Sequence, residues 1–395
     1  MSRPPRACIA GAFEHPLRDA PNATTTQLHY EVARGALDDA GLGFDDVDAY
    51  FCDGAVPGFG PLSMIDYMGL SNVRHADATE LGGSTYIGHV GRAASLIAAG
   101  KCKVALITLA GRPRQRKEAL MFAPAKGSGL TDGAPEAGFE HIYGGITVAL
   151  YAAAAMRHMY AYGTTSEQLA WVKVAASHHA QWNERAFLRK LVTIEDVLKS
   201  RLISDPLHLL DCCVVTDGGG ALVVVAPEVA RSLKRPVIQV IGTAEAPGVQ
   251  SGGRNVDLTR SAATITGPAA FAEAGVKPAD IKYASIYDSF TITVLIQLED
   301  LGFCEKGHGG RFVADGGLIS GVGKLPVNTD GGGLCNNHPD NRGGMTKMIE
   351  AVRQLRGEAH PKVQVPNCDL ALAHGTGGIL GMRHSAATAI LERTG

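Results

Sequence analysis

Short apolar runs alternate along the chain with stretches whose apolar residues recur every three or four positions. The first pattern suits a strand buried on both faces and the second an amphipathic helix, so their alternation reads as an α/β fold. Ala7–Ala12 is the first predicted strand. Thr24–Ala40 is the helix after it, with Leu28, Val32, Ala36 and Leu37 on one face and a run of threonines able to cap its start. Val47–Cys52 is a second strand. Gly82-Gly83-Ser84 then opens a helix that carries Tyr86, Val90, Ala94 and Ile97 on one side and stops at Gly100; Lys103–Ala110 leaves it as a strand.

The alternation breaks over residues 111–210. Arg112–Gly133 is rich in Gly, Pro and basic residues, while Ile146–Tyr162 and Ser166–Trp182 carry helical patterns. The many aromatics and aliphatics there suit a helical insert better than a linker. Ala221–Ala226 resumes the strand pattern. An internal echo follows. Ala40-Gly41-Leu42, Asp46-Val47-Asp48 and the strand Ala49–Cys52 return as Ala274-Gly275-Val276, Asp280-Ile281-Lys282 and Tyr283–Ile286, offset by 234 throughout. Two copies of one helix–strand unit imply a duplicated α/β domain. The expected division is residues 1–110 with 211–230 as a first half, 111–210 as a helical loop domain, and 231–395 as a second half.

Composition narrows the function. Hydrophobic residues make up 45% of the 395 and charged residues 19%, enough for a sizeable core and too apolar for a disordered chain. Thirty-seven basic against 39 acidic side chains leave no basic surplus for nucleic acid. No apolar run approaches the roughly 18–20 residues that span a bilayer, and the N-terminal stretch lacks a secretory pattern. Eight cysteines stand without any C-x-x-C pair, and His178-His179 and His208 lack a ligand spacing, so neither a disulfide framework nor a metal site is expected. No phosphate-loop or dinucleotide fingerprint is present. The expectation is a reduced, cytoplasmic, soluble protein.

Five stretches, in chain order, carry a family resemblance. They are Asp217-Gly218-Gly219-Gly220-Ala221; Tyr287-Asp288-Ser289-Phe290-Thr291 with the trailing Leu298-Glu299-Asp300-Leu301-Gly302-Phe303; Pro326-Val327-Asn328-Thr329-Asp330-Gly331-Gly332; Asn337-His338-Pro339; and His374-Gly375-Thr376-Gly377-Gly378. Together they resemble the thiolase superfamily, most closely its sterol-carrier-protein-type and archaeal thiolases. The resemblance implies two similar halves packed as five α-β-α-β-α layers with a loop domain, a homodimer paired through sheet edges, and acyl-CoA thioesters as substrates. It also implies a possible small OB-fold/zinc-ribbon partner, and no bound cofactor beyond the coenzyme A that belongs to the substrate.

The chain departs from that family at the nucleophile. Where thiolases carry a cysteine before a buried helix, this chain has Ala78-Thr79-Glu80-Leu81-Gly82-Gly83-Ser84, with Thr79 aligning best and the nearest cysteines in sequence at Cys52 and Cys102. Tyr287 replaces the histidine of the His-Asp-Cys-Phe motif, His338 keeps the histidine of Gly-His-Pro behind Asn337, and His374 stands at the second cysteine. The tyrosine resembles that of thiolase-like aldolases of steroid side-chain degradation, which use a second tyrosine where this chain has His338.

Cleaving a β-ketoacyl thioester needs a nucleophile on the ketone, whereas a β-hydroxyacyl thioester needs only a base on its hydroxyl. Both routes pass through a thioester enolate that requires hydrogen-bond donors. The expectation is therefore retro-aldol cleavage. Tyr287 or His374 would move protons, His338 would bond the thioester oxygen, and Gly377 and Gly378 would add backbone donors. A thiolase-type acyltransferase and a non-catalytic thiolase-fold subunit are the alternatives. The basic cluster Arg112, Arg114, Arg116 and Lys117 could meet the coenzyme A phosphates or simply form a solvated loop. Cys335, three residues before His338, reads as a small loop residue, and Cys212-Cys213 as buried thiols.

Overall fold

The two echoed segments build the same corner twice. In the computed structural model, which describes residues 6–115, 146–249, 257–339, 343–380 and 383–393, Gly41 and Gly275 both adopt φ 72° and end a helix in the left-handed conformation that suits glycine. A short turn follows each. Asp46 accepts the Gly43 N–H through Oδ2 at 2.8 Å, and Asp280 accepts the Lys277 N–H in the same way at 2.8 Å. A buried strand then leaves each turn.

The first half comprises β1 (Ala7–Glu14), α1 (Thr25–Ala40), β2 (Ala49–Asp53), α2 (Pro61–Met68), β3 (His75–Thr79), α3 (Thr85–Ala98) and β4 (Val104–Gly111). The insert supplies α4 (Thr147–Tyr162), α5 (Ser166–Ala180), α6 (Ile194–Lys199) and the small hairpin β5 (Leu202–Ser204) with β6 (Leu207–His208). β7 (Gly218–Val225) returns to the first sheet, followed by α7 (Pro227–Ala230). The second half is β8 (Ile238–Val249), α8 (Ala263–Ala274), β9 (Tyr283–Ile286), α9 (Thr291–Asp300), α10 (Gly309–Val313), α11 (Gly332–Cys335), α12 (Gly344–Arg356), β10 (Leu370–Gly378) and β11 (Arg383–Arg393).

The strand order is β3-β2-β4-β7-β1-β8-β11-β10-β9. β7 runs antiparallel to both β4 and β1, and β11 antiparallel to both β8 and β10, so the two halves repeat one pattern about the β1–β8 seam. That seam is a short antiparallel ladder, Ala7 opposite Val240 and Ile9 opposite Ile238. Beside β9, where β3 lies beside β2, the second half has a single bridge between Ala284 and Val327.

Strand alternation sorts the side chains into layers. Ala7, Ile9, Ala105 and Ile107 enter a central core with Ala371, Ala373, Ala387 and Ala389 of the second half. Their neighbours Cys8, Ala10, Val104 and Leu106 face an outer core under α1 and α2, and Leu370, Leu372 and Ile390 face another under α8 and α9. α3 and α12 fill the space between the two sheet halves and pack on strands of both. This is the five-layered duplicated α/β arrangement. The insert helices pack on the second half, with α5 against α9, α10 and α11.

Several boundaries differ from the pattern-based expectation: β1 runs on to Glu14, β4 spans Val104–Gly111, and β7 spans Gly218–Val225 instead of Ala221–Ala226. The second strand begins at Ala49, because residues 44–46 close a turn in which the Val47 N–H bonds the Phe44 carbonyl at 3.2 Å. The helix expected over Ser166–Trp182 ends at Ala180. Much of the Arg112–Gly133 segment, with Arg116 and Lys117, lies outside the described residues.

Candidate active site

Tyr287 is fixed immediately beyond the end of β9. Asn328 acts as a side-chain strand there: its Oδ1 accepts the Ile286 N–H at 2.8 Å and its Nδ2 donates to the Ile286 carbonyl at 2.8 Å. Asn328 itself has φ 53°, a conformation asparagine tolerates better than branched residues. The Tyr287 N–H then bonds the His374 carbonyl at 3.0 Å, which ties the tyrosine backbone to β10.

His338 is delivered by a chain of polar contacts. Its N–H donates to Thr216 Oγ1 at 2.9 Å, Thr216 donates to Asn337 Oδ1 at 2.7 Å, and Asn337 Nδ2 donates to Glu14 Oε1 at 2.9 Å. Arg18 Nη2 reaches the same carboxylate oxygen at 2.8 Å. Burial acts to raise the Glu14 carboxyl, but Arg18, Arg353, Asn337 and Asn336 outweigh it and hold it below the usual range. The end of β1 thereby anchors a loop more than three hundred residues away in sequence.

The two side chains meet directly. Tyr287 Oη lies 2.9 Å from His338 Nε2, and the rings stand edge to face with centroids 5.4 Å apart. Burial pushes the phenol well above its ordinary value and brings the imidazole down to about 4, outweighing the Asp288 carboxylate that would raise it, with the Lys347 ammonium adding a smaller lowering. At neutral pH the phenol therefore keeps its proton and the imidazole is neutral, so Tyr287 donates and Nε2 accepts, a tautomer assigned from this network. Behind them Asp288 and Lys347 form a buried ion pair at 2.6 Å, and Asp288 also accepts the Gly333 and Leu334 N–H groups at 2.8 and 3.2 Å.

The start of α3 comes up against this pair as bare backbone. A Cβ on Gly83 would overlap the Tyr287 ring and lie 2.5 Å from the Thr376 carbonyl oxygen. One on Gly82 would lie 2.9 Å from Gly377 Cα, and one on Gly377 would overlap the Leu81 carbonyl. The glycine turn before α3 and the glycine end of β10 therefore approach closer than any side chain permits. Thr79, the residue aligned by sequence with the missing nucleophile, is elsewhere engaged: it donates to Asp77 at 3.1 Å and accepts from Arg92. Gly83 is the residue the α3 turn presents to the phenol.

All eight cysteines are free thiols. Cys213 lies close enough to Tyr287 to affect its ionisation, but burial pushes this thiol far above its ordinary value, as it does Cys335. Neither is a thiolate at neutral pH.

The structure does not bring His374 to the pair. Along β10, Ala371 and Ala373 face the central layer, while Leu370 and Leu372 face the outer one. His374 continues the second set. Its Nδ1 bonds Thr388 Oγ1 at 2.8 Å, and Thr388 bonds Thr266 of α8 at 2.9 Å. Only its carbonyl reaches Tyr287, so the expectation of a proton-carrying imidazole is corrected to a backbone contact.

Arg112 and Arg114 are likewise occupied. Arg112 donates to the Ala20 and Pro21 carbonyls at 3.0 and 2.9 Å, and Arg114 donates to the Val215 carbonyl at 3.3 Å, pairs with Asp19 at 3.6 Å and lies over the Phe187 ring. Both arginines fasten loops in this structure. His179 is structural too, bonding the Asn328 carbonyl at 3.2 Å and accepting the Ser320 N–H at 2.9 Å. Among the described residues no cluster of three or more His, Cys, Asp or Glu could hold a metal ion. No helix among them is long and apolar enough to cross a membrane.

Sequence reasoning missed the Asp288–Lys347 pair, the Glu14 anchor and Gly83. It also missed Tyr151 of α4, whose hydroxyl lies 3.3 Å from the Gly378 carbonyl oxygen. Asp288 and Gly83 did stand inside quoted motifs, but nothing local marked Tyr151.

Residues 245–393 match the family described as thiolase C-terminal domain-like. The chain is 35% identical over 365 residues to the steroid side-chain-cleaving aldolase of Thermomonospora curvata, covering 90% of this chain and 91% of that one. The chain belongs to the thiolase superfamily, among its aldolase-like members. It is also 36% identical to the 17-hydroxy-3-oxo-4-pregnene-20-carboxyl-CoA lyase of Mycobacterium tuberculosis, covering 84% and 86% of the two. An acetyl-CoA acetyltransferase of Methanothermobacter thermautotrophicus is 40% identical, but that match spans only 62% of this chain and 63% of the other. Among solved structures, an Ltp2-ChsH2(DUF35) aldolase superposes with a TM-score of 0.85 at 33% identity, covering 98% and 97%. This aldolase-like thiolase-superfamily chain thus shares nearly its full length with carbon–carbon lyases.

Proposed function

We propose that the protein cleaves the α–β carbon bond of a β-hydroxyacyl-CoA by a retro-aldol reaction, releasing a ketone or aldehyde and a shortened acyl-CoA. The observation that carries this is the Tyr287–His338 hydrogen bond at 2.9 Å, set against a glycine turn with no ionised thiol. In the proposed step the substrate β-hydroxyl gives its proton to Tyr287 Oη as the Tyr287 proton passes to His338 Nε2. The hydroxyl oxygen becomes the product carbonyl, and the electrons of the broken bond form the thioester enolate. The same pair then returns the proton to Cα, so no proton is gained or lost overall.

His338 acts through Tyr287 in this scheme instead of bonding the thioester oxygen, because its Nε2 is already on the phenol. Backbone N–H groups at the Gly377–Gly378 end of β10 are the proposed donors to the enolate oxygen. The substrate itself supplies the coenzyme A. Arg112 and Arg114, tied to loop carbonyls, are not part of this reading.

Two assembly features go with it. β3 ends the sheet with its outer edge unpaired among the described residues, which suits a homodimer joined at that edge. The ChsH2(DUF35) component of the solved aldolase suggests a small partner for this chain as well.

The test supplies a β-hydroxyacyl-CoA bearing a tertiary hydroxyl. The expected products are a ketone and a shortened acyl-CoA in equal amounts without added free coenzyme A. Turnover of a β-ketoacyl-CoA that depends on free coenzyme A, with no cleavage of the hydroxyacyl thioester, would instead make the protein an acyltransferase.

A further inference from the structure

Tyr151 reaches the site from the insert, not from either half. It projects from α4 and stacks on Phe290, with ring centroids 4.5 Å apart and planes 32° from parallel. Phe290 lies three residues beyond Tyr287, so this contact sets the insert in register with the tyrosine motif. The Tyr151 ring is buried, and its hydroxyl ends 3.3 Å from the Gly378 carbonyl oxygen, long for an O–H···O bond whose usual length is about 2.7–2.8 Å. Ser289 is also within its hydrogen-bonding reach. Tyr151 lies near enough to Tyr287 to raise that phenol's pKa, and Cys213 acts on both.

An enolate oxygen has more than one lone pair to satisfy, so the backbone N–H donors leave room for a further one. Tyr287 donates its own hydrogen to His338 and accepts the substrate proton on oxygen, so it has no hydrogen free for the enolate oxygen while the bond breaks. A further neutral donor would have to stand beside the Gly377–Gly378 end of β10. Tyr151 is there, and burial raises its phenol to about 12 against the lowering pull of hydrogen bonds with Ser289 and the Leu380 backbone, so it stays protonated at neutral pH. Its bond to Gly378 is weak enough to exchange for a stronger one.

We propose that Tyr151 is a second catalytic phenol, which donates a hydrogen bond to the oxygen of the thioester enolate. The proposal rests on the enolate chemistry above but not on which carbon–carbon bond is cleaved. No covalent step is added; the hydroxyl keeps its proton and only its acceptor changes, from the Gly378 carbonyl to the substrate.

Tyr151→Phe isolates the hydroxyl, because phenylalanine keeps the stack on Phe290. Two rates are read: cleavage of the β-hydroxyacyl-CoA, and exchange of Cα hydrogens of the shortened acyl-CoA for deuterium in D2O. Exchange requires only the enolate, which both the lyase and the acyltransferase form. Expected are falls in kcat and in exchange of about 10–100-fold, with KM within about threefold and an unchanged thermal midpoint. Exchange within twofold of wild type would overturn the proposal, and so would a raised KM with kcat retained, which would make Tyr151 a packing residue. A wild-type protein that exchanges but does not cleave would sink the retro-aldol reading alone, with Tyr151 still judged by exchange. One that does neither would sink both.

Discussion

At the scale of single residues, the proposed chemistry depends on two groups whose burial removes their charged forms. Below about pH 4 His338 would gain a proton and could no longer accept from Tyr287, and on the alkaline side the phenol resists ionisation well past its usual range. kcat/KM should therefore stay level from about pH 5.5 to pH 9. A limb centred near pH 6.5, the value of an unperturbed histidine, would contradict this neutral pair. Tyr287→Phe and His338→Ala should each lower kcat by about 10²-fold or more. His374→Ala should behave differently, since its ring bonds Thr388 in the outer layer. Its kcat should remain within about threefold, while denaturant unfolding shows a loss of about 1–3 kcal/mol from the orphaned hydroxyl network. A hundredfold fall in kcat without loss of stability would restore His374 to the catalytic set.

At the scale of elements, the site is where four backbone pieces converge: the end of β9, the segment that carries His338, the glycine end of β10 and the glycine entry to α3. Gly83→Ala measures how tightly they converge. Its new methyl would meet the Tyr287 ring and the Thr376 carbonyl, so it should cost about 2 kcal/mol or more and nearly abolish turnover. A stable, active alanine variant would show that the turn has slack. Much of this was legible in the chain. The Gly41 and Gly275 caps announced the repeat, and the spacing of Tyr287 and His338 within recognisable motifs marked the pair. His374 was misjudged because strand parity decides which layer a side chain enters, and motif position alone does not reveal that parity. α12 escaped notice because its sequence looks solvated: Lys347, Glu350, Gln354 and Arg356 are buried, and each has a partner outside the helix, Asp288 for Lys347, Thr329 for Glu350 and Gln354, and the Ala10 carbonyl for Arg356. Tyr151 lay in an alanine-rich helix whose pattern says only that it packs.

At the scale of the whole molecule, burial of neutral imidazoles should set the acid limit of stability. It holds His89, His179, His338 and His384 to about 4 and His374 to about 3. The unfolded chain takes up these protons near pH 6.5, whereas the fold refuses them until far lower. Stability is thus fully present above about pH 6.5 and falls as pH drops toward 4, by up to about 1.4 kcal/mol per unit for each group. Glu350, raised to about 7, works the other way, as do Asp211 and Asp300, raised by burial. The carboxyls of Glu14 and Asp77, held low, add to the acid loss. Urea midpoints should fall from pH 7 to pH 5, with more than one proton taken up on unfolding. Midpoints that stay level or rise would contradict the buried neutral histidines.

The central claim is that the carbon–carbon bond is cut by proton movement alone, with no sulfur forming a bond to the acyl group. Intact-protein mass spectrometry during turnover tests it most directly. The expected result is an unmodified mass at every time point while acyl-CoA product accumulates. A kinetically competent acyl adduct on any cysteine, Cys213 above all, would contradict it.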